Sequence, residues 1–353
     1  MPLFSPSPQH RVPHISLLRC GFPLLFALLL PTLLHAQRRP RNQDPQDDHN
    51  RATILHTANV YVTGDASAPP ITTITPGHEF VISSRNGPWL NIFIDTDPPE
   101  DDDPDSKPEF TDPNSQTNVP SSGWIRDKGV VGPSTPNGDA LIFGFAAELE
   151  AQASQPHPPQ TAASEAHLLY ARVADYFPDS PLVPEALFRS ADIRWQLDKA
   201  DIATLPSTHE GDGMLRPQIY EGALRRVMKY FPNSPFAARA AFDLLDNKLC
   251  GDWQGLPNCP ERETQLYLNY AAAYKTGPKS AEALYDAAYR QGVLVTMYNV
   301  DDNPKLAAQA SKNCKSIADQ LQHDYPTSDY AARAAAIAFR VSQGIPIYGT
   351  DRD

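Results

Sequence analysis

The spacing of apolar residues changes along the chain, from a period of two to the period of an α-helix. Between residues 51 and 126, short segments rich in β-branched residues alternate with turn residues such as Pro76-Gly77 and Asn86-Gly87. The predicted strands lie at 52–55, 58–62, 71–74, 79–83, 89–94 and 123–126. Short strands at this spacing are typical of a small barrel or sandwich.

From about residue 164 the apolar positions follow a helical period, as in Ala166, Tyr170, Val173 and Phe177. A repeated segment divides this part of the chain. Its four copies are Tyr176-Phe-Pro-Asp-Ser-Pro, Tyr230-Phe-Pro-Asn-Ser-Pro, Gly277-Pro-Lys-Ser and Tyr325-Pro-Thr-Ser. Each copy precedes an alanine-rich segment, and recurrence at this interval predicts a solenoid of helical hairpins.

The proline of the repeated segment explains why the first helix of each hairpin ends there, because proline cannot continue the hydrogen-bond ladder of a helix. The serine two residues later is predicted to cap the second helix through its hydroxyl. In two copies Pro181 or Pro235 is predicted at the first helical position, where a missing N–H has no consequence. The predicted capping serines are Ser180, Ser234, Ser280 and Ser328.

The N-terminus has the pattern of a secretory signal peptide. Arg11 and Arg19 precede the apolar run 21–34, and Ala36 supplies a small residue for cleavage. The alternative is an uncleaved N-terminal membrane anchor. Both interpretations predict an exported chain that works in the periplasm or cell envelope.

These patterns predict a multi-domain chain in which a small all-β barrel precedes an all-α solenoid. The predicted β-domain carries an acidic insertion that has almost no apolar residues. We expect this insertion to be a solvated loop, with calcium binding as the alternative. The predicted divisions are 1–36 (signal peptide), 37–50 (spacer), 51–133 (β-barrel, with the insertion at 95–120), 134–162 (linker), 163–345 (helical hairpins) and 346–353 (tail).

The formal net charge of −12 argues against a nucleic-acid partner, because the phosphate backbone requires a basic surface. Cys250 and Cys259 enclose a short loop, and an oxidising compartment allows a disulfide between them. Two buried free thiols are the alternative. Cys314 shares a helical face with apolar residues and is predicted to lie in the core.

Residues 51–131 resemble a bacterial SH3 (SH3b) domain in the segments Ala58-Asn-Val, Gly64-Asp-Ala-Ser, Asn86-Gly-Pro-Trp-Leu and Gly123-Trp-Ile. This resemblance implies an SH3-like barrel that binds cell-wall peptides or other proteins. Residues 163–345 resemble bacterial TPR proteins of the outer-membrane assembly lipoprotein BamD and YbgF type, on the repeated aromatic-Pro-x-Ser segments and alanine-rich helices. That resemblance implies a scaffold made of stacked hairpins.

The sequence contains no nucleophile elbow, zinc-protease motif or phosphate-binding glycine loop, so we expect a non-catalytic protein without a cofactor or a metal. Tyr61, Trp89 and Trp124 are the candidate residues of a ligand groove on the barrel, and a place in its core is the alternative for the tryptophans. The expected partners are proteins or peptides of the envelope. A peptidoglycan-binding or wall-remodelling factor is the second hypothesis, an enzyme whose site is assembled from distant residues is the third, and the oligomeric state is left open.

Overall fold

The computed structural model describes residues 50–97, 122–209 and 215–349. The predicted signal peptide, nearly all of the spacer and the acidic insertion from residue 98 onward lie outside the described residues. Residues 350–353 of the predicted tail lie outside them as well.

The first part of the described chain is a seven-stranded antiparallel sheet with the strand order β3-β2-β6-β5-β4-β1-β7. Six of its strands fall where the apolar alternation predicts them, and β7 is an additional short strand. The strands are β1 (Arg51–Ile54), β2 (Ala58–Tyr61), β3 (Pro70–Ile74), β4 (Glu79–Asn86), β5 (Trp89–Phe93), β6 (Ser122–Arg126) and β7 (Val130–Val131).

One face of the sheet is apolar and forms a core of its own. Successive side chains of a strand point to opposite faces, so Leu90 and Ile92 of β5 share the inner face with Ile125 of β6. Strands from one edge of the sheet to near the other contribute residues to this one core. Its buried members are Ala52, Ile54, Val60, Ile74, Phe80, Leu90, Ile92, Ile94 and Ile125.

The remainder of the described chain is helical. Consecutive helices pack against each other, and each helix buries an apolar face in these contacts. Together the sheet and the helices confirm the predicted order, a β region followed by repeated helical hairpins. The helices of the described residues are α1 (Gly138–Ala153), α2 (Ala162–Tyr176), α3 (Val183–Ala203), α4 (Gly222–Tyr230), α5 (Pro235–Asp243), α6 (Asn258–Ala273), α7 (Ser280–Val300), α8 (Pro304–Asp324) and α9 (Asp329–Ser342).

The first helix of each hairpin ends in the same way. The residue after the helix is aromatic in every case, and its φ lies between −120° and −135° with ψ between 49° and 61°. Its carbonyl oxygen then accepts a hydrogen bond from the N–H three residues later. The four hairpins therefore share one turn geometry, although in the third copy Lys275 stands where the others have proline and Gly277 where they have serine. The aromatic residues are Phe177, Phe231, Tyr274 and Tyr325.

The predicted serine caps are correct in only two of the four copies. Ser234 and Ser328 accept hydrogen bonds from the N–H groups of Ala237 and Tyr330. Ser180 instead lies before the start of α3, because the turn runs on to Leu182. Consequently Pro181 does not occupy the first helical position there; Pro184 lies in the first turn.

In the third copy Ser280 is the first residue of α7, and its buried hydroxyl donates to the carbonyl of Tyr274. It therefore ties the end of α6 to the start of α7, and it does not cap α7 as predicted.

The prediction of a linker at 134–162 is wrong, because residues 138–153 form helix α1. Ile142 and Ala146 of α1 are fully buried against α2. Leu141 and Phe145, each one residue earlier, lie on an adjacent face and are more than 40% exposed, so the apolar residues of α1 extend beyond one buried face. The helical part of the chain therefore begins about 25 residues before the predicted boundary at 163.

Helix α2 packs directly on the turn between β3 and β4. A Cβ atom on Gly77 would lie 2.5 Å from the Cβ of Leu168, and the φ of Gly77 is +86°. Both the close approach and the left-handed conformation require glycine.

The helices of the described residues include none with the length and apolar content to cross a membrane.

Candidate functional site

The three aromatic residues predicted to line a ligand groove lie together on the outer face of the sheet. Tyr61 pairs with Trp124 across β2 and β6, and the ring centroids of Tyr61 and Trp89 are 5.5 Å apart in an edge-to-face arrangement. Their neighbours Val60 and Ile125 are fully buried on the inner face. Because side chains alternate along a strand, Tyr61 and Trp124 must point outward. We call this surface, formed by Tyr61, Trp89, Trp124 and Arg126, the aromatic face.

Close packing fixes the rings of the aromatic face. The guanidinium carbon of Arg126 lies 4.4 Å from the centroid of the Trp89 ring, within the range of a cation–π interaction. A Cβ atom on Gly64 would lie only 3.3 Å from either tryptophan. Trp89 is only 7% exposed because Tyr61, Arg126 and Gly64 cover it on this face, whereas Tyr61 and Trp124 are half-buried. Of the three candidates, Tyr61 and Trp124 are the ones that a ligand can reach.

The chemistry of the aromatic face suits contact with a chain that has both apolar and polar groups. Half-buried aromatic rings offer flat apolar area at little cost in side-chain entropy. The exposed guanidinium of Arg126 and the amide of Asn59 supply hydrogen-bond donors beside the rings. Proline-containing peptides and saccharides are two ligand classes that present such a mixture of groups.

A buried ionic network joins the sheet to the first helical hairpin. Arg172 of α2 forms ion pairs with Asp97 and Asp175 and lies 3.7 Å from Glu79. Arg51 of β1 also pairs with Glu79, and Arg172 donates through Nε to the Gly77 carbonyl. Arg172, Arg51 and Glu79 are all less than 10% exposed. The charges neutralise one another, so this network is a structural junction.

The titration of the junction follows from its burial and its pairs. Burial raises the pKa of Glu79, although Arg172 and Arg51 oppose the shift. Burial alone would raise the pKa of Asp97 too, but hydrogen bonds from His78 and from the Glu79 N–H, with the charge of Arg172, bring it below the usual value. The hydrogen bond between His78 and Asp97 also raises the pKa of His78. No sequence pattern reveals the junction, because Arg172 and the Gly77 carbonyl to which it donates are 95 residues apart.

Two further partly buried carboxylates lie on helices of the repeat. Burial raises the pKa of Asp243 in α5 to about 7, and the charges of Asp192 and Asp246 add to the shift. The buried Oδ2 of Asp243 accepts no hydrogen bond within the described part of the chain. In α7, burial raises the pKa of Asp286 to about 6 despite its ion pair with Arg290. Periodicity could not reveal these groups, because carboxylates on a helix are ordinarily solvated.

The loop between Cys250 and Cys259 is closed by a disulfide. Glu263, which is 1% exposed, organises this loop from α6: it accepts hydrogen bonds from the Cys250 N–H at 2.8 Å and the Trp253 Nε1 at 3.1 Å. Arg290 of α7 pairs with the same carboxylate at 2.9 Å. The loop is therefore bound to two helices and presents Trp253 at a fixed position.

The remaining cysteine of the described chain, Cys314, is fully buried among Ile337 and Val341. Burial raises the pKa of its thiol to about 11, so it is not a nucleophile at neutral pH. Over residues 50–97, 122–209 and 215–349, no three His, Cys, Asp or Glu side chains are grouped so that they could hold a metal ion.

Comparisons with known proteins give little beyond the geometry. No family model and no curated protein matches the chain. Among solved structures, it is similar to the de novo designed helical repeat protein DHR64, with 17% identity over 59% of this chain and 95% of that one, at a TM-score of 0.22. It is also similar to the DHF58 filament, with 16% identity over 59% and 93% of the two chains, at a TM-score of 0.24. Similarity at this level carries no argument about function.

Proposed function

We propose that the protein is a non-catalytic, exported scaffold or adaptor that binds protein or peptide partners in the bacterial cell envelope. The observation that carries this proposal is the aromatic face, where half-buried Tyr61 and Trp124 lie beside Trp89 and the exposed Arg126. Aromatic residues and arginine are the residue types enriched in protein interfaces. The helical hairpins supply a second surface, and two weak contacts on one chain strengthen each other.

The finer fold assignment belongs to the same proposal. We regard the sheet as an SH3-like barrel, since its short antiparallel strands enclose one small core. We regard the hairpins as a TPR-type solenoid, since the four first helices end at an aromatic residue with one backbone geometry. Stacked hairpins of this kind form extended surfaces that bind other chains.

Site-specific photo-crosslinking in the producing cells tests the proposal. A benzophenone amino acid at exposed Asn59 should capture a defined protein partner, whereas the same group at exposed Lys315 on α8 should not. The crosslink at position 59 should be lost in a Trp124→Ala background and kept in a Phe339→Ala background. Phe339 is the matched control because it is 63% exposed and is far from the sheet in sequence. A crosslink that survives Trp124→Ala contradicts the proposal.

A peptidoglycan-binding or wall-remodelling role is the second candidate, and the composition of the aromatic face supports it. Flat rings beside amide and guanidinium donors also suit the sugar rings and carboxylates of a cell-wall polymer. Sedimentation with purified sacculi distinguishes the two functions. The wall role predicts that the wild-type chain and Phe339→Ala enter the pellet and that Trp124→Ala stays in the supernatant. A wild-type chain that stays in the supernatant excludes it.

A further inference from the structure

A cavity of about 540 Å³ lies at the C-terminal end of the helical hairpins. Its walls come from the last turns of α7, the end of α9 and the segment 344–349 that follows α9. This volume is within the range of small-molecule sites, which are mostly apolar and carry a few polar groups. The apolar wall residues are Val295, Met297, Val300, Val341, Ile345 and Tyr348.

The segment that covers this cavity is held in place by specific contacts. The Ile347 N–H donates to the Thr296 hydroxyl at 3.0 Å, and Arg340 donates to the Pro346 carbonyl at 2.7 Å. The ring of Tyr348 lies 5.7 Å from that of Trp253, which the disulfide loop positions. A free segment could settle into the space and fill it, since protein interiors tolerate few voids. This segment is fixed above the space and leaves it open.

The mouth of the cavity combines apolar and acidic groups. Val300 is 81% exposed and Ile345 is 45% exposed, so apolar surface continues from the walls to the outside. Asp301 is also part of the lining, and the exposed Asp302 follows it in the chain. The formal net charge of −12 further disfavours anionic ligands. The polar side of the cavity therefore complements a positive charge.

We infer that this cavity binds an amphiphile whose apolar chain lies against Val295 and Val341 and whose cationic head meets Asp301. This function goes beyond the proposed role of the aromatic face and uses none of its residues. Failure of either proposal therefore leaves the other one standing.

Isothermal titration of the purified full-length chain with three amphiphiles of equal chain length, each below its micellar concentration, tests the inference. We expect dodecyltrimethylammonium to bind at one saturable site, dodecyl maltoside to bind more weakly and dodecanoate to bind least. Val295→Trp fills the cavity and should weaken the binding of dodecyltrimethylammonium at least about tenfold. Leu215→Trp places the same ring at a position that is 63% exposed and outside the cavity, so its affinity should match the wild type.

Asp301→Asn provides a test that does not depend on filling the interior. This substitution at an exposed position should weaken the binding of dodecyltrimethylammonium several-fold and leave the affinity for dodecyl maltoside unchanged. It removes only the charge at the mouth. Equal affinity of the wild type and a folded Val295→Trp variant would overturn the site. Equal affinity for dodecanoate and dodecyltrimethylammonium, or an unchanged Asp301→Asn variant, would overturn the cationic ligand class.

Discussion

Arg172 and Glu79 face each other across the junction between α2 and β4, with 3.7 Å between Nη1 of the arginine and Oε2 of the glutamate. Both side chains are less than 5% exposed, although the residues are 93 positions apart in the sequence. Their pairing makes the sheet and the first hairpin depend on each other for charge neutralisation.

Arg172→Met should destabilise the chain by about 3–5 kcal/mol, because it removes a cation from the buried carboxylate of Glu79 and the partly buried carboxylate of Asp97. Urea unfolding measures the loss. Arg225→Met is the matched control: Arg225 is largely exposed and pairs with Glu221 one helical turn away, so its loss should cost less than about 1 kcal/mol. Similar costs for the two variants would show that the junction contributes little.

Asp243→Asn should stabilise the chain at pH 8 and have little effect near pH 4. The folded-state pKa of Asp243 is raised to about 7, so the folded chain holds a proton that the unfolded chain has already released between about pH 4 and 7. Stability therefore falls as the pH rises through this window, and the amide removes that loss. The expected gain at pH 8 is on the order of 2 kcal/mol, measured as a difference in unfolding free energy. Asp319→Asn makes the same substitution at an exposed position of α8 and serves as the control.

The double variant Cys250→Ser/Cys259→Ser should lose about 2–3 kcal/mol, the amount expected when a loop of this length is no longer closed in the unfolded chain. Urea unfolding with and without reductant measures it. Reductant should lower the midpoint of the wild type and leave the double variant unchanged. A wild-type midpoint that is insensitive to reductant would argue against a stabilising disulfide.

Ser234→Ala should cost about 1 kcal/mol, because the hydroxyl accepts a hydrogen bond from the Ala237 N–H at the start of α5. Ser316→Ala, at an exposed position inside α8, should instead be neutral or slightly stabilising, since alanine is the better helix former. The midpoint of thermal unfolding should therefore fall for Ser234→Ala and stay the same or rise slightly for Ser316→Ala. A shift of equal size and sign would contradict the capping role of Ser234.

The sequence predicted the elements whose residues follow one clear period. Six strands and the later hairpins appear where alternation, turn residues and the repeated aromatic-proline segment place them. Helix α1 escaped prediction because Leu141 and Phe145 are apolar on its exposed side, which obscures the helical period. The proline-rich segment that follows it added to the impression of a linker.

Only part of the candidate site could be predicted from the sequence. Local pattern identified Tyr61, Trp89 and Trp124, and the strand pairing brings them together. The Arg172 junction and the cavity beside Val295 could not be predicted, because each depends on segments that are distant along the chain. Only the tertiary fold determines which charges become buried together and which space is left open.

The register of β5 with β6 has a practical consequence. Phe93 pairs with Ser122, so the chain leaves the sheet and returns to it at adjacent positions. The register makes β5 and β6 antiparallel neighbours that are also consecutive strands of the described chain, and neither strand fixes the length of the connection between them. A foreign peptide or a short turn grafted after Asp97 would keep the Arg172 ion pair and leave both strands in place, which makes this position a natural point of insertion for tags and reporters.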